Sequence, residues 1–339
     1  MFVLDLHLEH FRNWPRGDFA LVPGRNLLCG DNGTGKTSLL EALYATAFGK
    51  SFRTRKKAEM VQWQAAGWST RIHVSGALGT HEIASDDAGK FQRTLDGKPV
   101  PLAELVTHFF PVFFSTLSSV QVLDGAATLR GFFDRLAVGL APLYLPSLLR
   151  YNGALRQKNS LLKRSVRRAE LSSWNRILAE MGLNVMTARA RFVTQLNGAL
   201  RARGMAGLSV EYRPDLDSGD PQAAFAALEA LADAEWESRT CLRGPHRDRF
   251  VPMRGPIPLG VFSSGEKRRA LLDIVLAYLD LYTDRQGQCP VLLLDDYDAA
   301  LDELALDGLF ARLPRLQVVA TSVHRSDRFD NRIELSKEN

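Results

Sequence analysis

The segment Gly30-Asp31-Asn32-Gly33-Thr34-Gly35-Lys36-Thr37 constrains this chain more than any other. It follows the short apolar run Asn26-Leu27-Leu28-Cys29 and leads into a helical pattern from Lys36 to Ala47. A strand that ends in a glycine loop and continues as a helix belongs to an α/β fold. The glycines let several backbone N–H groups turn inward, and the helix N-terminus adds its positive end, so the loop suits a phosphate chain. In such a Walker A loop Lys36 bridges the β- and γ-phosphates and Thr37 offers its hydroxyl to magnesium. The expected ATP-binding set is Gly30, Asp31, Asn32, Gly33, Thr34, Gly35, Lys36, Thr37 and Ser38, with ATP and Mg as cofactors.

Three further motifs follow near the other end of the chain. Val291-Leu292-Leu293-Leu294 is a buried strand pattern that ends in Asp295 and Asp296. Beside the Walker A strand, Asp295 is expected to share magnesium with Thr37. Asp296 is expected to face the γ-phosphate and to orient or deprotonate the attacking water. Phe262-Ser263-Ser264-Gly265-Glu266 stands where ABC ATPases carry a Leu-Ser-Gly-Gly-Gln signature at a helix start. There Ser263, Ser264, Gly265 and Glu266 would meet the nucleotide of a second subunit, which adds Ser263 to the catalytic candidates Lys36, Asp295 and Asp296. Read alone, the same residues are a capped helix start, with Ser263 as N-cap and Glu266 three residues on. Their place ahead of Asp295-Asp296 favours the signature. Ala299-Ala300-Leu301-Asp302 follows as the expected D-loop, with Ala300 and Asp302 as its site residues. Val318-Val319-Ala320-Thr321 ends in Ser322, where many transport ATPases have a histidine, and His324 reads as a surface residue.

At 339 residues the chain suits two lobes. Leu4, Leu6 and Leu8 alternate with polar residues and predict a half-buried strand. Arg71–Leu78, His81–Ser85 and Phe91–Leu95, separated by Gly79 and by Asp96-Gly97, predict antiparallel hairpins, and Pro111–Ser115 a further strand. From Ala126 to Ala206 apolar residues recur three and four apart, as in the stripes Leu155, Leu161, Leu162, Val166 and Val193, Leu196, Leu200. They are not sustained long enough for a coiled-coil arm. Gln222–Ser238 reads as another helix. Strand–helix alternation then returns: helix Ser263–Tyr282, strand Pro290–Leu294, helix Glu303–Leu313, strand Leu316–Ala320. The expected organisation is an ATPase head divided in sequence. Residues 1–125 form its first half with antiparallel strands, residues 126–240 a helical insertion lobe, and residues 241–339 its second half.

The net charge is +5, and its distribution is uneven. Between Arg150 and Arg203 the only acids are Glu170 and Glu180, whereas Glu211 to Glu237 is acidic. The two blocks are solvated, pair with each other, or leave the basic one for a polyanion. No apolar run reaches the roughly 18 residues that span a bilayer, and the N-terminus has no signal-peptide pattern. Cys29, Cys241 and Cys289 read as buried thiols of a reducing compartment. A soluble, cytoplasmic protein is expected.

These motifs, in this order and behind an N-terminal strand that ends Phe11-Arg12-Asn13, resemble the heads of the SMC/RecF group of ABC ATPases, and within it the RecF family. The resemblance extends to Gly49-Lys50-Ser51-Phe52-Arg53-Thr54, Pro111-Val112-Phe113-Phe114-Ser115, Arg130-Gly131-Phe132-Phe133-Asp134 and Arg243-Gly244-Pro245-His246-Arg247-Asp248, and so spans essentially the whole chain. It implies an ABC-type head that forms an ATP-dependent homodimer, with Arg12 and Asn13 near the nucleotide. Arg247 and Asp248 would lie near the signature side of the interface. It implies binding to double-stranded DNA and its junctions with single strands, and work with RecR and RecO to load RecA at single-strand gaps. Candidate DNA contacts are Arg53, Arg55, Lys56, Lys57 and the basic insertion.

Departures from the family are specific. Ser115-Thr116-Leu117-Ser118 replaces a Ser-Pro-Glu-like sequence, so no Q-loop residue is assigned. Ser264 replaces the first signature glycine, and Asp296 is one methylene shorter than the glutamate of fast ABC enzymes. With Ser322 in place of histidine, these predict slow turnover. The alternatives are a non-hydrolysing, nucleotide-gated DNA clamp, which would lack the usual coiled-coil tether, and a transporter ATPase subunit, against which the basic helical insertion speaks.

Overall fold

The computed structural model describes residues 1–54, 56–115, 121–123, 125–164, 168–216, 219–299 and 303–336. The chain divides into two compact units, one built from residues 1–120 and 271–339 and the other from residues 121–270. No described helix is long and apolar enough to cross a membrane. All three cysteines are buried free thiols.

In the first unit, five parallel strands lie in the order Asn331–Glu334, Arg25–Cys29, Gln317–Ser322, Val291–Asp295 and Pro111–Ser115. Every residue of Val291–Asp295 and of Gln317–Ser322 is buried, as befits central strands covered on both faces. Leu294 stands opposite Ala320, and Ser322 opposite Cys29. This register brings the carboxyl ends of adjacent strands to one edge, where the Gly30 loop begins. Such an edge is where open α/β sheets bind their ligands.

A second sheet of the same unit is antiparallel, in the order Trp14–Ala20, Phe2–Phe11, Trp68–Gly76, Gly79–Asp87, Phe91–Leu95, Lys98–Pro99. The helix Lys36–Phe48 packs against both sheets, and all its residues but Thr37 are buried. Its inward polar groups are satisfied. Thr46 Oγ1 donates to Ala42 O at 2.8 Å and shares a 2.8 Å hydrogen bond with Thr70 Oγ1, while Ser85 Oγ donates to Thr46 O at 2.9 Å. These bonds anchor the helix that carries the phosphate loop to the antiparallel sheet.

Several expectations are revised. A register shift between Val3 and Asp5 puts Val3, Leu6 and Leu8 on the buried face and leaves Leu4 half-buried. Gln222–Ser238 is two helices, Pro221–Glu229 and Ala232–Ser238. Strands Trp14–Ala20, Arg249–Arg254 and Asn331–Glu334 and helix Leu102–His108 have no counterpart in the sequence reading.

The second unit has a small antiparallel sheet, Leu208–Arg213, Arg249–Arg254 and Ile257–Pro258, and the helices Ala126–Leu140, Tyr144–Arg164 and Arg168–Ala202. Val193, Leu196 and Leu200 are buried as their spacing predicts. On Tyr144–Arg164 the buried stripe is instead Tyr151, Ala154, Lys158 and Leu162. Leu155 and Leu161 are half-buried, and Val166 lies outside the described residues.

Two members of the basic block therefore point inward. Lys158 Nζ meets Glu235 at 2.5 Å with both side chains excluded from solvent, a direct pairing of the basic and acidic blocks. Arg189 is tied to Asp134 at 2.8 Å, to Asp248 Oδ2 at 2.7 Å and to the Pro245 carbonyl at 2.6 Å. Tyr212 OH also donates to Asp248, and Asp215 N–H donates to its other oxygen at 2.8 Å. Asp248, which the resemblance put near an interface, is thus wholly buried, while Arg247 beside it is exposed. Neither Lys158 nor Arg189 is free to meet DNA.

Removing one partner of a buried ionic cluster strands the remaining charges. Arg189→Met is expected to lower stability by about 3–5 kcal/mol, whereas Arg191→Met, on the exposed side of the same helix, should change it by no more than about 0.5 kcal/mol. Denaturant midpoints followed by circular dichroism compare the two, and equal midpoints would show that the cluster contributes nothing net.

Candidate nucleotide-binding site

The carboxyl edge of the parallel sheet opens into a cleft of about 500 Å³ in the first unit. Arg12, Asn13, Asn32, Gly33, Gly35, Lys36, Thr37, Ser38, Arg53 and Asp296 line it, together with Glu59 and Val61. Elements far apart in sequence therefore meet here: the end of the first strand, the glycine loop, the segment after its helix, and the end of Val291–Asp295.

The loop geometry depends on glycine at position 35. Its φ is +97°, and a Cβ there would sit 2.5 Å from Trp14 Nε1 and 2.6 Å from Asn13 Nδ2. Trp14 Nε1 donates to Gly35 O at 3.3 Å, which ties the strand Trp14–Ala20 to the loop backbone. Thr34 closes the turn by donating to Asp31 O at 2.9 Å. Lys36 Nζ donates to the carbonyls of Gly30 at 2.5 Å and Asp31 at 2.9 Å, which holds the ammonium within the ring of the loop. Gly30, Asp31 and Thr34 shape the loop without lining the cleft.

Beneath the loop, Thr37 Oγ1 donates to Asp295 Oδ1 at 2.8 Å, and Thr321 Oγ1 donates to the same oxygen at 2.9 Å. Thr321 Oγ1 also accepts from Asp296 N–H at 2.8 Å. Asp296 has a left-handed backbone, φ +50°, that turns it out of the strand toward the cleft. Burial, then the neighbouring Asp295 and Asp298, push its carboxyl above the ordinary aspartate range, and Lys36 opposes them. A carboxylate shifted in this direction is a stronger base. The Thr37 hydroxyl and the Asp295 carboxylate are hard oxygen donors of the kind magnesium takes. Ser322 Oγ donates to Asp298 at 2.8 Å and also accepts from His324 N–H at 2.8 Å, so its hydroxyl is engaged locally.

The signature candidates lie in the other unit and do not line this cleft. Ser263 caps the helix Ser264–Gln286: Glu266 N–H donates to Ser263 Oγ at 3.4 Å, and Glu266 Oε2 accepts from Ser263 N–H at 3.2 Å and Oγ at 2.8 Å. This is a reciprocal capping box, with Ser263, Ser264, Gly265 and Glu266 all exposed. Ala300, Asp302 and Arg55 lie outside the described residues, as does the segment Thr116-Leu117-Ser118. Lys56 is near Glu59 at 3.8 Å, and Lys57 contacts Asp87 at 3.3 Å and stands over the Phe91 ring.

Sequence reasoning missed Glu41, Thr321, Glu59 and Val61, and assigned Arg53 only to DNA. Glu41 carried a signal: it is the one carboxylate in the otherwise apolar run Leu39-Leu40-Glu41-Ala42-Leu43. It is fully buried and accepts from Arg12 Nε at 2.9 Å and Arg12 Nη2 at 2.5 Å.

Residues 5–94 match the family model of an AAA domain. A DNA replication and repair protein RecF of Chloroflexus aurantiacus is 33% identical, with 96% of this chain and 94% of the relative covered. That of Synechococcus sp. (strain JA-3-3Ab) is 31% identical, with coverages of 96% and 92%. The solved structure of a recombination mediator protein, RecF-ATP in the RecFOR pathway, superposes with a TM-score of 0.91 over 100% of this chain and 96% of its own, at 24% identity. At that identity the likeness establishes the fold, an α/β ATPase head with an antiparallel N-terminal sheet.

The cleft geometry sets an expectation for glycine at position 35. Gly35→Ala should weaken ATP binding at least about tenfold, because the methyl group displaces Trp14 and Asn13 and the backbone conformation disfavours any side chain. Titration with a fluorescent ATP analogue measures this, and unchanged affinity would show that the loop relaxes without consequence.

Proposed function

The chain belongs to the RecF family of DNA replication and repair proteins, and on that premise we propose that it is a recombination mediator that dimerises on ATP, binds duplex DNA and hydrolyses ATP slowly. The observation that carries this reading is the convergence of Lys36, Thr37 and Asp296 on one cleft, with Asp295 buried beneath it and joined to Thr37 by a 2.8 Å bond.

In this reading Lys36 exchanges its loop carbonyls for β- and γ-phosphate oxygens, and the N–H groups of Gly33 to Ser38 surround the phosphates. Thr37 and Asp295 would hold magnesium, which when bound neutralises charge on the phosphates. Asp296 orients or deprotonates the attacking water, with its raised proton affinity suiting it to that task. Arg12 and Asn13 flank the nucleotide.

Ser263, Ser264, Gly265 and Glu266 of one copy would meet the nucleotide held by another. The capping box already presents Ser263 at a helix N-terminus, which favours an anionic partner. Ala300 and Asp302 would complete the D-loop. Slow turnover agrees with the short Asp296 side chain and with Ser322 bonded to Asp298.

Duplex DNA and junctions with single strands are the proposed ligand, with Arg53, Arg55, Lys56 and Lys57 as contact candidates. Arg53 also lines the cleft, and Lys57 would have to release Asp87 to reach a phosphate. The proposed partner is RecR, with RecO and RecA in the same pathway, at the nucleoid in the cytoplasm.

Molecular mass in solution with and without ATP and magnesium tests the reading. The wild type should shift from monomer to dimer only with nucleotide, and Lys36→Met and Ser263→Arg should both remain monomeric. A Ser263→Arg protein that dimerised as well as wild type would remove the signature assignment.

A further inference from the structure

We propose that Glu41 is a positioning residue of the nucleotide cleft, whose buried carboxylate holds Arg12 and Arg53 side by side toward the phosphate path. The inference rests on the ATP-binding reading of the same cleft.

Glu41 lies four residues after Thr37, so both project from one face of the helix, with Glu41 a turn deeper. Its side chain is completely buried, a costly place for a carboxylate unless cations and hydrogen bonds surround it. It has both. Arg12 grips it through two N–H donors, Nε to Oε2 and Nη2 to Oε1, which leaves Nη1 of the same guanidinium unused by this pair. Arg53 Nη1 lies 3.6 Å from Oε2. Ser51 Oγ donates to Oε1 and in turn accepts from the N–H groups of Arg53 at 2.8 Å and Thr54 at 3.0 Å.

One carboxylate thus holds Arg12 by two hydrogen bonds, draws in Arg53 from a separate segment, and shapes the turn that carries it. Neutralising a buried acid requires a single cation, yet two are gathered here, and both line the cleft that holds Lys36. Arg12 is also placed at backbone cost: its φ is +57°, held by its N–H donating to Met60 O at 2.8 Å. The cleft thus gathers Lys36, Arg12 and Arg53, with Glu59 and Asp296 on its lining and Glu41 buried behind the arginines. The two-point grip fixes the Arg12 guanidinium, and Arg53, half-exposed, is drawn to the same carboxylate, so both present cationic groups to a phosphate chain in the cleft.

A positioning residue acts through its partners, so its effect should disappear when they are gone. ATP affinity is measured with a fluorescent ATP analogue in Glu41→Gln, in Arg12→Ala/Arg53→Ala and in the triple variant, with thermal melting alongside. Glu41→Gln is expected to weaken ATP binding about tenfold in the wild-type background. In the double-alanine background its effect should be less than about twofold. A tenfold loss in both backgrounds would mean that Glu41 acts through the fold and would overturn the proposal, as would no loss in either. If Glu41→Gln does not fold, Glu41→Asp, which keeps the charge but draws it back by one methylene, is carried through the same cycle with the same two outcomes. Failure of wild type itself to bind ATP would remove the ATPase reading as well, whereas an additive cycle on a wild type that binds ATP would remove only the role of Glu41.

Discussion

Thr321 uses its hydroxyl twice at the edge of the parallel sheet, donating to Asp295 Oδ1 at 2.9 Å and accepting from Asp296 N–H at 2.8 Å. It stands on the strand between Arg25–Cys29, which feeds the glycine loop, and Val291–Asp295, which ends in the two carboxylates. The same Asp295 oxygen takes the Thr37 hydroxyl, so three segments are tied at a single atom. The spacing of the cleft follows from this. A one-residue slip between the central strands would turn Thr321 to the opposite face and part the carboxylates from the loop. Buried central strands specify their register strongly, and that fixes these groups relative to one another.

The second unit depends on a different constraint, the ionic cluster around Arg189. With the packing around Tyr151 it accounts for Gly244, Pro245, His246 and Asp248 of the segment Arg243-Gly244-Pro245-His246-Arg247-Asp248. A Cβ on Gly244, whose φ is +134°, would lie 2.5 Å from Tyr151 OH. The Pro245 carbonyl accepts from Arg189, His246 Nδ1 bonds to Tyr151 OH at 2.7 Å, and Asp248 is the buried counter-charge. A motif that reads as functional in sequence is here largely architectural, with Arg247 exposed and Arg243 half-exposed beside Asp215.

Where the sequence was legible, local pattern and tertiary demand agreed. The glycine loop, the run Val291–Leu294 and the alternating strands after Trp68 all declare themselves by spacing. Trp14–Ala20 did not, because Pro15 and Gly17 read as breakers; as an edge strand it has a free side on which proline costs no ladder bond. Arg249–Arg254 was hidden by Pro252, which pairs with Val210 on one side, while its other neighbour reaches only Met253 and Arg254. The sequence left open whether Lys158 and Arg189 meet solvent, the acidic block or a polyanion, because their acidic partners, Glu235, Asp134 and Asp248, are distant in sequence. The same distance concealed the grip of Glu41 on Arg12 and Arg53. Pairings between separate elements leave no periodic trace, and they decide which charges face solvent.

In the proposed reaction Asp296 acts on water during magnesium-dependent ATP hydrolysis at this cleft. Steady-state phosphate release, with and without magnesium, by wild type and Asp296→Asn tests it most directly. Wild type should release phosphate slowly and only with magnesium, and Asp296→Asn should lose about a hundredfold, with ATP still bound by both. Equal release by the two proteins, or ATP binding by wild type with no release at all, would contradict it.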